Sequence, residues 1–172
     1  MSSYINHWYN HLESIRNSTI HFIPSNLSTL EDIRRDLGRA KDIRFILTNG
    51  VELRSCQLLM ENLAKLLCFP KYFGKNWDAL YDCLTDLEWM TGTIVVLTID
   101  DADALLQMPN DDLSKFSSVV NRTIDYWQNP PDSTEMKRSV TNFHLILRAE
   151  HSAFGRLMDW ISRPICIHGK DQ

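Results

Sequence analysis

The stretch Thr93-Ile94-Val95-Val96-Leu97-Thr98-Ile99 decides the fold. Six of its seven residues are β-branched, which suits a pleated, packed surface and disfavours a helix. Its apolar residues run on without alternating with polar ones. A strand of that kind is covered on both faces, as in the parallel sheets of α/β proteins. Working outward, Ile43–Thr48 (IRFILT) and Asn142–Arg148 (NFHLILR) have the same character, the first closed by the turn pair Asn49-Gly50. Thr19–Ile23 is a short strand ended by Pro24, and Ile165–His168 is a last short strand.

Segments of helical period lie between these strands. Tyr4–Arg16 sets Ile5, Trp8, Tyr9, Leu12 and Ile15 on one face. Ser28 or Thr29 starts a helix with Leu30, Ile33 and Leu37, and Gly38 lies near its end. Ser55 caps a helix carrying Leu58, Leu59, Leu63, Leu66 and Leu67, which Pro70 stops. Asn76 caps Trp77–Leu87. Leu113–Trp127 ends at Pro130-Pro131, and Phe154–Ile161 is a short helix. Strands alternating with helices predict an α/β protein: a small, mainly parallel sheet with helices packed on it.

The chain has 172 residues, a net charge of −4, 44% apolar and 23% charged residues. That composition excludes a disordered or collagenous chain and gives enough length for one domain with additions. No apolar run is long enough to cross a bilayer. Met1-Ser-Ser-Tyr-Ile-Asn-His-Trp lacks the basic and apolar regions of a signal peptide, so the expectation is a cytoplasmic protein. The cysteines Cys56, Cys68, Cys83 and Cys166 form no Cys-x-x-Cys pair and are expected to be reduced and mostly buried.

Charge is distributed unevenly. Between Asp78 and Asp112 there are nine acids and no Lys, Arg or His; the remainder carries 18 bases against 13 acids. An acidic block of this kind repels nucleic acid and steers cationic partners, although a solvated face is its commonest meaning. On the helix Trp77–Leu87, Trp77, Leu80, Leu84 and Leu87 fall on one side. Asp78, Asp82 and Thr85 fall on the other, with Tyr81 at the border. Asp78 and Asp82 are an i,i+4 like-charge pair, which costs roughly 0.2–0.5 kcal/mol in an isolated helix. The pair becomes favourable only when a cation arrives.

Other constellations carry less. His7 and His11 stand at i,i+4 without a third zinc ligand at convincing spacing. Asp100-Asp101-x-Asp103 lacks the glycine and terminal glutamate of a calcium loop. No G-x-G-x-x-G, G-x-x-x-x-G-K or G-x-S-x-G occurs, and His144 falls in a buried strand.

The run Phe69-Pro-Lys-Tyr72-Phe-Gly74-Lys-Asn76-Trp-Asp78-Ala-Leu80-Tyr-Asp82-Cys83-Leu-Thr85 closely resembles the defining motif of the barstar family of ribonuclease inhibitors. Element order resembles that family over about residues 42–148. The resemblance implies a barstar-like domain over 42–148, with 1–41 (helix, strand, helix) and 149–172 as α/β extensions packed on it. It implies an inhibitor, not an enzyme: the immunity protein of a bacterial nuclease toxin, bound 1:1, with no cofactor, metal, nucleic acid or membrane. Asp82 would then mimic a substrate phosphate in the enzyme's basic cleft, with Asp78 as second acid. Tyr72 would stack at the catalytic histidine, Tyr81 would pack at the interface and Thr85 would border it. Asn76, Gly74 and Leu80 would be cap, tight turn and core.

The chain departs from the family at Asp86-Leu87, where the type member has Gly-Trp, and this brings Asp86 to the same surface. It also departs around Tyr126 and Asn129, where the type member is acidic. The acidic loops Asp100–Asp103 and Asp111–Asp112 either compensate or face solvent. Two other classes remain open: an interaction or regulatory protein that has lost nuclease binding, and a metal-dependent enzyme using Asp78 and Asp82.

Overall fold

A computed structural model describes residues 19–26, 30–37, 42–129, 140–161 and 165–167. The expected helix Tyr4–Arg16, with His7 and His11, and the capping positions Ser28 and Thr29 lie outside the described residues. Elements follow in the order β1 (Ile20–Pro24), α1 (Leu30–Leu37), β2 (Ile43–Asn49), α2 (Cys56–Leu66), α3 (Trp77–Asp86), β3 (Ile94–Asp100), α4 (Asn110–Gln128), β4 (Asn142–Ala149), α5 (Phe154–Trp160) and β5 (Ile165–Ile167).

The five strands form one sheet in the order β2-β3-β4-β1-β5, and every neighbouring pair is parallel. The α/β expectation holds, and the sheet is parallel throughout. Strand β3 lies between β2 and β4 with Val95–Ile99 buried, as its unbroken apolar run requires. Both terminal strands join the sheet: Ile20 pairs in register with Leu145 of β4 on one side and Ile165 of β5 on the other.

The larger core lies on one face of the sheet. Ile20 and Phe22 of β1, Leu97 of β3 and Leu145 of β4 meet Leu59 and Leu63 of α2, Leu80 and Leu84 of α3, and Phe116, Val120 and Ile124 of α4. Burying each large side chain stabilises the fold by roughly 1.5–3 kcal/mol. The opposite face is smaller: Ile23, Val96 and Ile146 pack with Ile33 and Leu37 of α1. It also holds His21 and His144, both fully buried, with Nε2 of the first 3.2 Å from Nδ1 of the second.

Several local readings change. Asn49-Gly50 makes no hairpin turn. The Asn49 side chain accepts from the Val51 amide and caps a 3₁₀ turn, Gly50–Leu53. Glycine is required at 50 because a Cβ there would lie 2.3 Å from the Asp101 carbonyl oxygen. Asp111 and Asp112 belong to the first turn of α4, not to a loop, where a carboxylate complements the helix dipole. Cys83 is buried and Cys56 half-buried, but Cys68 is exposed, at left-handed φ 54° just past α2.

At the carboxyl ends of the strands, Arg148 of β4 pairs with Asp100 of β3 and donates to the Ser25 carbonyl after β1. These two side chains are only 12% and 14% exposed, so the pair ties three strands together.

Candidate functional site

The site is α3 and the loop before it. Asn76 caps the helix, its Oδ1 accepting from the Ala79 amide at 2.9 Å. Leu80, Cys83 and Leu84 turn inward. At the far end Leu87 closes the helix in the left-handed region, φ 48°, with its side chain fully buried. The last carbonyls of a helix lack helical partners. Trp127 of α4 supplies one, its Nε1 donating to the Leu84 carbonyl at 2.9 Å. The outward face of α3 is thereby set on a packed support.

At about 100° per residue, the outward arc of α3 is centred on Asp82, with Asp78 and Asp86 flanking it. Asp78 and Asp82 are exposed and Asp86 is half-buried. Among the described residues none of the three takes part in an ion pair. They form an acidic ridge whose charge is not locally neutralised. Three of the other six acids of the block have partners: Asp100 is paired with Arg148, Asp101 accepts from Asn49, and Asp111 pairs with Lys115 at 3.3 Å.

Tyr72 is 76% exposed on the loop between α2 and α3. The loop itself is fixed. Phe69 and Phe73 pack edge-on with ring centres 4.9 Å apart, Phe69 meets Trp89 in the same manner, and Trp89 Nε1 donates to the Leu67 carbonyl at 2.8 Å. The positive φ values of this loop fall on Cys68 and on Lys75, at 50°, and not on Gly74. The Tyr72 phenol is pushed above its ordinary value, first by desolvation on its packed side and then by Asp86, Cys83 and Glu88. That field joins Tyr72 to the carboxyl end of the ridge. Burial, then Asp86 and Asp82, push the Cys83 thiol up to about 11.

One residue is placed differently from its wheel position. Thr85 is not on the acidic face. It is only 7% exposed, and its hydroxyl donates back to the Tyr81 and Asp82 carbonyls at 2.9 and 3.1 Å. It follows Tyr81 by one turn, on the side of the helix that packs towards α4. Tyr81 is half-buried, and the Arg122 guanidinium of α4 lies 4.0 Å over its ring. Sequence reasoning did not single out Arg122, because nothing local marks a residue that becomes important through a neighbouring helix. Tyr126 is half-buried and packs edge-on against Trp127, while Asn129 is exposed at the end of α4. No group of three His, Cys, Asp or Glu among the described residues is placed to hold a metal ion. No described helix is long and apolar enough to cross a membrane.

A capped helix, packed on one side and bearing an acidic ridge on the other, thus stands behind a fixed aromatic loop and presents a negative surface. The sequence matches the family described as Barstar (barnase inhibitor) over residues 43–147, and this chain belongs to that family. It is 32% identical over 71 residues to the "Putative ribonuclease inhibitor YrdF" of Bacillus subtilis (strain 168), an alignment covering 41% of this chain and 78% of that protein.

Among solved structures, the chain resembles the Aeropyrum pernix ORC2 protein in its ADP form, with TM-score 0.60 and 12% identity over 96% of this chain and 46% of that one. It also resembles the Walker-type ATPase PABY2304 of Pyrococcus abyssi, with TM-score 0.55 and 14% identity over 97% and 52%. This chain spans about half the length of each. The likeness is one of fold alone. The sequence has no G-x-x-x-x-G-K stretch, and Ser25-Asn26 follows β1.

Proposed function

We propose that this chain inhibits a ribonuclease by occupying its active-site cleft, as the immunity partner of a bacterial nuclease toxin in the cytoplasm. Asp82 at the centre of an unpaired acidic ridge carries this reading. It takes the place of a substrate phosphate among the enzyme's basic side chains. Asp78 and Asp86 extend the negative surface along the cleft, and Tyr72 stacks at its mouth. Tyr81 contributes from the α4 side. Thr85 supports the helix from beneath and does not meet the partner. The complex is 1:1, needs no cofactor, and associates quickly because the charges attract before contact.

The test is inhibition of ribonuclease activity by wild type and Asp82→Ala, with barnase and the nuclease encoded nearest this chain as probes. Tight inhibition that weakens with salt, and falls sharply in Asp82→Ala, is expected. Inhibition untouched by Asp82→Ala moves the interface off α3; no inhibition of either enzyme removes the function. Co-expression with the neighbouring nuclease tests immunity separately, since only an immunity protein restores growth.

A further inference from the structure

Arg122 lies on the exposed side of α4, with its guanidinium 4.0 Å from the centre of the Tyr81 ring. Tyr81 adjoins Asp82 and follows Asp78 by nearly one helical turn, so this cation stands on the flank of the acidic ridge. Neither aspartate forms an ion pair with it. The ring takes one face of the guanidinium and restrains a long side chain, while the N–H edge remains available to a partner. Such a fixed cation works against simple acid-on-base docking. A partner with a base opposite Arg122 is repelled, whereas one with a carboxylate there gains a charge-assisted pair.

We infer that Arg122 is a specificity-determining residue: it favours a ribonuclease that offers a carboxylate beside its basic cleft, and disfavours one whose cleft is basic along its whole rim. This rests on the ridge being the inhibitory face. A stacked arginine at this point filters among enzymes that the aspartates alone would accept.

The probe is barnase, presenting a basic cleft to the ridge, titrated with wild type, Arg122→Lys, Arg122→Ala and Arg122→Glu. Like-charge juxtaposition across an interface costs several kcal/mol, so Arg122→Glu is expected to inhibit barnase at least about tenfold more tightly than wild type. The gain should come from faster association and shrink as salt is raised. Arg122→Ala should fall between them, and Arg122→Lys, which keeps the charge, should resemble wild type. A role confined to holding Tyr81 in place gives the opposite order, with all three variants weaker. Affinity of Arg122→Glu equal to or below wild type, or no binding by either, overturns the proposal. Asp82→Ala added to Arg122→Glu separates the two readings. Affinity retained in that double variant overturns the ridge itself, whereas a loss there without a gain from Arg122→Glu overturns only the role of Arg122.

Discussion

The indole of Trp127 reaches across from α4 to the Leu84 carbonyl at 2.9 Å, taking up one of the oxygens that α3 leaves unpartnered at its end. One buried hydrogen bond thus fixes the angle at which the acidic ridge is presented. Trp127→Phe keeps most of the apolar volume and removes the donor. Leaving the carbonyl unsatisfied should cost about 1–3 kcal/mol, seen as a lower urea midpoint. Inhibition per folded molecule should fall less than stability does.

Asp82→Ala should separate stability from binding. It removes the like-charge pairs that Asp82 makes with Asp78 and Asp86, so the free protein should be unchanged or more stable by a few tenths of a kcal/mol. Binding should weaken by roughly 2–5 kcal/mol, because the partner's cations are left buried without their acid. A thermal melt beside an inhibition titration checks both halves. A large fall in melting temperature would show Asp82 to be a structural residue.

Gly50→Ala should destabilise the carboxyl end of β2. The added Cβ meets the Asp101 main-chain carbonyl at 2.3 Å, and that oxygen, which accepts from the Ala104 amide, cannot rotate away. A cost of about 1–3 kcal/mol is expected, read from denaturant unfolding. Inhibition should persist below the unfolding transition, since α3 is anchored elsewhere.

Cys83 makes stability depend on alkaline pH. Its folded value of about 11 stands above the ordinary 9.0. The stabilising contribution of the neutral thiol is complete below 9.0 and is lost as pH rises through about 11, because the unfolded chain ionises first. Wild type should lose roughly 1–2 kcal/mol more than Cys83→Ala across that window. Parallel urea titrations at pH 8 and above provide the comparison, and identical pH slopes would contradict it.

Features set by local chemistry were legible from sequence. The β-branched run of β3, the caps Ser55 and Asn76 and the apolar stripe of α3 depend on neighbours a few residues away, and each stands as read. Asp78 and Asp82 were found because their spacing alone puts them on one face. What a helical wheel could not show was which flank α4 would cover. Thr85 therefore turned from rim to interior, and Arg122 passed unnoticed. Gly50 was read as a turn former because its close neighbour, Asp101, comes from a distant strand end. Asp111 and Asp112 looked like loop acids because helix α4 starts directly after Pro109.

Strand β4 is buried from Phe143 to Leu147, and within the stretch that matches the family it would have a neighbour only at β3. Here β1 lies along its other side, and among the described residues the border of the sheet passes outward to β5, three residues long. Long apolar borders invite pairing with other chains, and short ones do not. Removing residues 1–41, and β1 with them, would therefore uncover the long side of β4 as a template for aggregation.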